Sequence, residues 1–309
     1  MSNIFVVGSF VVGLTVRIPR MPVLGEGLIG DFFDMGVGGK GTNQAVAARR
    51  LGAQVGLLAC VGEDIFSQMA FDLCRQEGIS TEHIHRVLKV NTGVGFVSVL
   101  PSGENWIVGH LGANMCMRPE HVDAAETAIA RNDILMTQFE VPTGTLARAL
   151  ELGKRHGART ILNPAPGRQV PKEVFQHVDV LTPNESETRI LLGLPPDDLT
   201  PTSELALKLL DFGVQQIVVT RGKHGSLIVT EKSCQEIPPV MVKPVDATGA
   251  GDSFNAALAV SLGEGMNLED AVWNSNFAGA YTTQFLGVIS GLPTRSQLEA
   301  FKRAFPTGT

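Results

Sequence analysis

Residues 4–7 (Ile-Phe-Val-Val) form a run without a polar side chain, closed by Gly8-Ser9, and predict a strand buried on both faces. The pattern then changes. Leu14, Val16 and Ile18 alternate with Thr15 and Arg17, predicting a half-exposed strand, and a second such strand is predicted over residues 28–35. Residues 93–100 and 105–110 alternate again around Pro101-Ser102-Gly103-Glu104, a hairpin signal. Together these stretches predict a small sheet beside the main core, drawn from about residues 10–36 and 92–111. A sheet of that kind next to a substrate site can act as a lid.

The rest of the chain alternates between the two periods. A helix is predicted at 44–51, a buried strand at 55–61 and an amphipathic helix at 67–77. From Pro119 the sequence predicts helix 119–130, strand 134–138, helix 143–156 and strand 160–162. Strand 178–181, helix 187–192, helix 204–212 and strand 216–219 follow, then a long small-residue helix at 268–284 and a closing helix at 296–305. Strands alternating with helices mean an α/β fold with a parallel sheet and right-handed crossovers. With no internal repeat and no long linker, residues 1–309 read as one domain.

Ligands of such sheets bind beyond the carboxyl ends of the strands. Glu140, Asn163, Asn184, Glu187, Thr220, Gly222, Gly225, Asp246 and Asp252 all fall at or just after predicted strand ends. Each alone is an ordinary solvated loop residue, but together they mark one rim.

Composition narrows the partners. Hydrophobic content of 44% with 18% charged residues is that of a protein with a large core, and a net charge of −6 argues against nucleic acid or a membrane surface. No apolar run approaches the roughly 20 residues that span a bilayer. The N-terminal residues read as a first strand and not as a signal peptide. Cys60, Cys74, Cys116 and Cys234 are widely spaced without metal-ligand patterning, as expected of reduced thiols in a cytoplasmic protein.

The candidate chemistry lies at Pro244-Val245-Asp246-Ala247-Thr248-Gly249-Ala250-Gly251-Asp252. A valine-flanked strand end is predicted to run into a turn of Gly249, Ala250 and Gly251, followed by an apolar helix. Backbone amides in so bare a turn can close around an anion at a helix N-terminus. Asp252, just inside that helix, can take a proton from a hydroxyl approaching the anion. Phosphoryl transfer needs those two parts. Gly36, Gly38 and Gly41 match G-x-G-x-x-G, yet they lie well inside the chain and not in a first βα turn, which argues against a dinucleotide fingerprint and leaves a NAD-dependent oxidoreductase a distant alternative. Nor is Gly39-Lys40-Gly41-Thr42 a Walker A loop. A glycine turn bringing backbone close to a small polar ligand, with Asn43 pointing into the site, accounts for it better.

Gly38-Gly39-Lys40-Gly41-Thr42-Asn43-Gln44 and Asp246-Ala247-Thr248-Gly249-Ala250-Gly251-Asp252-Ser253-Phe254 are the most specific stretches, supported by Asn163-Pro164-Ala165-Pro166 and Thr182-Pro183-Asn184-Glu185-Ser186-Glu187. On these the chain resembles the ribokinase-like (PfkB) carbohydrate kinases over essentially its full length. The resemblance implies a three-layer α/β/α domain with a mostly parallel central sheet and a small β-sheet lid, through which such kinases commonly dimerise. It implies ATP-dependent phosphorylation of a sugar hydroxyl, with Asp252 as general base and Gly249, Ala250 and Gly251 as anion hole. Gly39, Lys40, Asn43 and Glu140 would hold the sugar. Asn184, Glu187, Thr220, Gly222, Gly225 and Asn276 would serve ATP and its Mg2+, with Glu187 acting on metal-bound water. Asp246 and Thr248, with carbonyls from Thr283 to Gly291 including Gly287, would form a K+ site that orders the anion hole.

One departure concerns the sugar. The family follows its first strand with G-S-x-N-x-D, whose Asn and Asp bind sugar hydroxyls; here Val11 and Gly13 occupy those places. Loss of a charged hydroxyl acceptor costs about 2 kcal/mol in sugar binding. That changes the preferred substrate without removing the chemistry. Ribose leads as substrate, with a nucleoside or another furanose or ketose as alternatives, and a non-catalytic sugar-binding protein as the alternative of a different class.

Overall fold

The computed structural model describes residues 1–101 and 104–305, so Ser102 and Gly103 of the expected hairpin tip lie outside the described residues. The chain starts with β1 (Asn3–Val7), whose alternate side chains enter two different cores: Ile4 and Val6 one, Phe5 and Val7 the other. This is why the run carries no polar residue.

Two strands then leave the main body, β2 (Val11–Arg17) and β3 (Phe32–Gly38). The second lies later than the predicted 28–35. A Cβ on Gly30 would sit 2.4 Å from Val16 Cγ1 and 2.5 Å from the Arg17 carbonyl, so that segment crosses β2 closely before pairing begins. Next come α1 (Lys40–Arg50), β4 (Gln54–Gly62), α2 (Ser67–Glu77) and β5 (Ile84–Val87). The hairpin β6 (Gly93–Val99) and β7 (Asn105–His110) returns to the outlying strands and completes a four-stranded sheet in the order β3-β2-β6-β7. β2 and β6 run parallel, and the other two pairs antiparallel.

The predicted helix 119–130 is two short helices, α3 (Pro119–Ala124) and α4 (Glu126–Ile129), broken where Ala125 leaves helical geometry at φ −94, ψ 2. β8 (Ile134–Gln138), α5 (Thr143–Arg155), β9 (Arg159–Asn163) and β10 (Val180–Leu181) follow. The chain continues through α6 (Glu185–Leu191), α7 (Thr202–Leu210) and β11 (Gln216–Thr220). Two strands escape the sequence patterns, β12 (Ser226–Val229) and β13 (Cys234–Ile237); both are four residues long and the second is largely exposed, too short for either period to register. β5, with His85 and Arg86 in its middle, is hidden for the same reason.

The main sheet has nine strands in the order β13-β12-β11-β10-β9-β8-β1-β4-β5. All pairings are parallel except the two that join β11, β12 and β13 at one edge. The chain ends with α8 (Ala250–Gly263), α9 (Leu268–Thr282), α10 (Val288–Gly291) and α11 (Arg295–Arg303). Buried residues of α1, α2, α8 and α9 cover one face of the sheet, and those of α3 to α7 cover the other. The outcome is the expected α/β/α sandwich with a mostly parallel sheet and a smaller second sheet.

One predicted element is absent. Among the described residues no strand runs into Asp246: regular pairing stops at Ile237, and residues 238–248 are irregular. Pro238, Pro239 and Pro244 remove amide donors that a sheet edge would need. Asp246 and Asp252 therefore reach the rim from a helix-linked segment and not from strand ends.

Candidate active site

The N-terminus of α8 is the centre of the rim. Gly249 precedes it with φ +82, in the left-handed region, and a Cβ there would lie 2.5 Å from Val288 Cγ1. Only glycine fits. No side chain caps this helix, and the Ala250 amide donates to the Ala247 carbonyl at 3.2 Å, so the next amides, those of Gly251 and Asp252, are left to face whatever anion enters. Gly251 has nothing within 4 Å of its missing Cβ, leaving the turn open on the ligand side.

Asp252 sits in the first turn and is 5% exposed. Its Oδ2 accepts from Asn43 Nδ2 at 2.7 Å, and its Oδ1 accepts from Gln44 Nε2 at 3.0 Å. Both donors are consecutive residues near the start of α1, which packs against α8. Gln44 is held in turn: its Oε1 accepts from Gln138 Nε2 at 2.6 Å, at the end of β8. The carboxylate is thus fixed in orientation by two amides from one helix turn. These contacts also fix the Asn43 amide, because the opposite assignment would set its oxygen against the carboxylate. Asn43 Oδ1 is consequently left buried without a hydrogen-bond partner among the described residues.

A second carboxylate stands across from this one. Glu140 Oε2, just past β8, accepts from the Lys40 amide at 2.9 Å and from the Ser9 hydroxyl. The approach depends on glycine: a Cβ on Gly41 would be 2.4 Å from the Ser9 amide, and one on Gly39, at φ +93, 2.8 Å from the Val11 amide. Lys40, Gly41, Thr42 and Asn43 thus belong to the first turn of α1 and not to a preceding loop. Burial acts to lower the pKa of the half-buried Lys40, but the carboxylates of Asp252, Glu140 and Glu187 outweigh it, and the ammonium is held above its ordinary value. Burial pushes the Glu187 carboxyl up; the Asn184 amide and Lys40 partly offset that, while Asp252 adds to it.

Glu187 and Asn184 form a reciprocal cap on α6: Asn184 Oδ1 accepts from the Glu187 amide, and Glu187 Oε2 accepts from the Asn184 amide, both at 2.8 Å. Asn184 also bridges to Thr220 between β10 and β11. These two residues and Gly222 line an open cleft of about 610 Å³ together with Arg189, Asp198 and Arg221. Gly225, at φ +77, is required by packing, since a Cβ would lie 2.1 Å from the Ile237 carbonyl. Asn276, on α9, accepts from the Ser226 hydroxyl at 2.6 Å and donates to the Pro238 carbonyl at 3.0 Å, tying α9 to the edge of the sheet.

Behind the Gly249 turn, Asp246 Oδ1 accepts from the Thr248 amide at 2.9 Å and the Thr248 hydroxyl at 2.6 Å, and its Oδ2 accepts from the Gly287 amide at 3.2 Å. The structure therefore brings Asp246, Thr248 and Gly287 together, with Gly291 at the end of the short α10 where a carbonyl-rich loop was expected. Thr283 differs from expectation. Its carbonyl accepts from both the Val245 and Asp246 amides, at 2.7 and 3.0 Å, which uses both lone pairs.

Sequence reasoning assigned no role to Ser9, Gln44 and Gln138, which orient Glu140 and Asp252. Gln44 stood next to Asn43 in the motif; only its helical position, one residue round the turn, reveals that both amides face one carboxylate.

The sequence matches the pfkB family of carbohydrate kinases over residues 1–295. It is 37% identical over 299 residues to a ribokinase of Bacillus subtilis, covering 97% of this chain and 99% of that one. A solved ribokinase from Thermotoga maritima superposes with a TM-score of 0.89 at 33% identity, covering 98% of this chain and 100% of that one. A ribokinase from Arabidopsis thaliana, solved in complex with ribose and ATP, gives 0.89 at 28% identity, covering 97% of this chain and 98% of that one.

Proposed function

The chain belongs to the pfkB family of carbohydrate kinases, and from that premise we propose that it transfers the terminal phosphoryl group of ATP to a hydroxyl of D-ribose, yielding ribose 5-phosphate. The observation that carries the reading is the buried Asp252 carboxylate, held by Asn43 and Gln44 beside an uncapped helix N-terminus. A hydroxyl placed between Asp252 and the Gly249, Ala250 and Gly251 turn loses its proton to the carboxylate as its oxygen attacks phosphorus. Negative charge building on the phosphoryl oxygens meets the first amides of α8. Glu140, Lys40, the Gly39 turn and Asn43 Oδ1 hold the sugar on the α1 side.

ATP enters from the Asn184, Glu187, Thr220 and Gly222 side, with Gly225 and Asn276 shaping the wall. No cluster of three or more His, Cys, Asp or Glu suited to a metal occurs among the described residues. Mg2+ would arrive with ATP, held mainly by nucleotide phosphates and water, and neutralise their charge. Glu187, buried and facing Lys40, is the carboxylate that fits its outer coordination. For K+, the fit is a half-buried Asp246 with no cationic side-chain partner among the described residues; Asp246, Thr248 and backbone of Gly287 and Gly291 would hold it, without Thr283.

The small sheet acts as lid. Its outer face exposes Phe33, Met35, Phe96, Trp106 and Val108, which supports a homodimer formed lid to lid. Free thiols and the need for ATP support a cytoplasmic location, which cell fractionation tests. For the reaction itself, ADP release is measured with Mg-ATP and a panel of pentoses, hexoses and nucleosides. Ribose-dependent release is expected; nucleotide turnover unaffected by any acceptor would remove the reading.

A further inference from the structure

Four glycines lie in one register row across the small sheet: Gly36 on β3 pairs with Gly13 on β2, Gly13 with Gly95 on β6, and Gly95 with Gly109 on β7. The row is about 14 Å wide at ordinary strand spacing. Along it the sheet presents bare backbone. Which face this concerns is settled by Gly38, two residues on from Gly36 and therefore on the same face. A Cβ on Gly38 would point to Asn43 Oδ1, at 3.7 Å.

Asn43 is the second observation. It is 5% exposed, its amide nitrogen donates to Asp252, and its oxygen has no partner. An acceptor buried in this way calls for a donor from a ligand lying between α1 and the sheet. Such a ligand meets polar groups on one side only. Lys40, Asn43, Glu140 and Asp252 all belong to the body, whereas the sheet offers Val11, Gly13, Gly36, Gly38 and Gly95. The first polar side chains on that face, Thr15 and Asp34, pair with each other one row further out, about 7 Å along the strand from the glycines.

Resting on the pentose-kinase reading, we infer that this enzyme does not recognise the sugar hydroxyl that faces the lid, and that Gly13 is the residue that sets this tolerance. A site with buried hydrogen-bonding groups for a hydroxyl rejects the analogue lacking it by about 10^4-fold or more, because those groups are left unpaired. Here nothing on the lid side is left unpaired. A deoxypentose lacking that hydroxyl is therefore a substrate on equal terms with ribose.

The position can be refilled. A Cβ at Gly13 has only the Gly36 carbonyl within 4 Å, at 3.8 Å, and Gly13 is not among the residues with positive φ, so a side chain is accommodated. The experiment compares kcat/KM for ribose, 2-deoxyribose and 3-deoxyribose in the parent, Gly13→Asp and Gly13→Ala. In the parent, at least one deoxy sugar comes within about threefold of ribose. Gly13→Asp moves that ratio toward ribose by about 10-fold to 100-fold, the range for a hydrogen bond to a charged acceptor; Gly13→Ala leaves it in place. Both deoxy sugars falling more than about a hundredfold behind ribose in the parent overturns the inference, as does an unchanged ratio in a folded, active Gly13→Asp. If no acceptor is turned over, the kinase reading fails. The inference is then decided by calorimetric titration of the same sugars, where equal Kd values uphold it and a preference for ribose overturns it.

Discussion

Replacing Asp252 by Asn separates the proposed base from everything around it. The substitution keeps size and shape but leaves one oxygen where two accepted hydrogen bonds, from Asn43 Nδ2 at 2.7 Å and Gln44 Nε2 at 3.0 Å. One of these donors must then face another NH2, which costs about 1–3 kcal/mol of stability for a buried unsatisfied group. Loss of general base catalysis costs a further 10^2- to 10^4-fold in kcat, or ~3–5 kcal/mol of transition-state stabilisation. Asp252 makes no hydrogen bond with Asn184, Thr220 or Gly222, so ATP affinity has no reason to fall with it. The assay is coupled ADP release with saturating ribose, alongside calorimetric titration of ATP and a thermal melt. The expected set is a kcat lowered at least a hundredfold, an ATP Kd close to that of the parent and a modestly lower Tm. A kcat within tenfold of the parent, in protein that melts cooperatively, would refute Asp252 as the base.

Three further outcomes follow from other parts of the structure. Asp246→Asn removes the carboxylate behind the Gly249 turn, so the parent is faster in K+ than in Na+ while the variant shows no difference; equal rates of the parent in both salts would remove the cation site. Phe96→Glu puts a charge on the exposed apolar face of the small sheet, and sedimentation should show a dimer become a monomer, since like charges meeting across a two-fold interface cost about 2 kcal/mol or more; a parent already monomeric at micromolar concentration contradicts the lid-to-lid contact. His85 has its pKa lowered, first by burial and then by the charges of His121, whose ring lies 4.8 Å away on α3, and of His83 in the turn before β5. A depressed folded pKa means stability is present above the ordinary value of 6.5 and is lost as pH falls through the folded value. Thermal melts between neutral and acid pH should therefore show a smaller loss in His85→Phe than in the parent, and parallel curves would contradict it.

The sequence exposed the fold where elements are long. Helix 67–77 and strand 134–138 match the predicted limits because their periods run uninterrupted through buried residues. It concealed the four-residue strands β12 and β13, whose place in the sheet is set by pairing partners and not by their own pattern. It also placed Asp246 after a strand that the prolines forbid. At the site, Asp252 and the Gly249 turn were legible because their chemistry is local: a bare turn, then a carboxylate in a first helical turn. The contacts of Ser9 with Glu140, or of Gln138 with Gln44, join residues 131 and 94 positions apart, and no spacing rule reaches that far. The Thr283 carbonyl shows the converse, a residue matching by position but already engaged by two amides.

The central claim is that a sugar hydroxyl receives the phosphoryl group from ATP at the α8 turn. Phosphorus NMR of a reaction of Mg-ATP with ribose tests it directly, by following ADP and any new phosphate ester together. The account predicts one ester, coupled to the protons of a methylene and formed in equal amount with ADP. ADP and free phosphate appearing without an ester, or an ester on a secondary carbon, would contradict it.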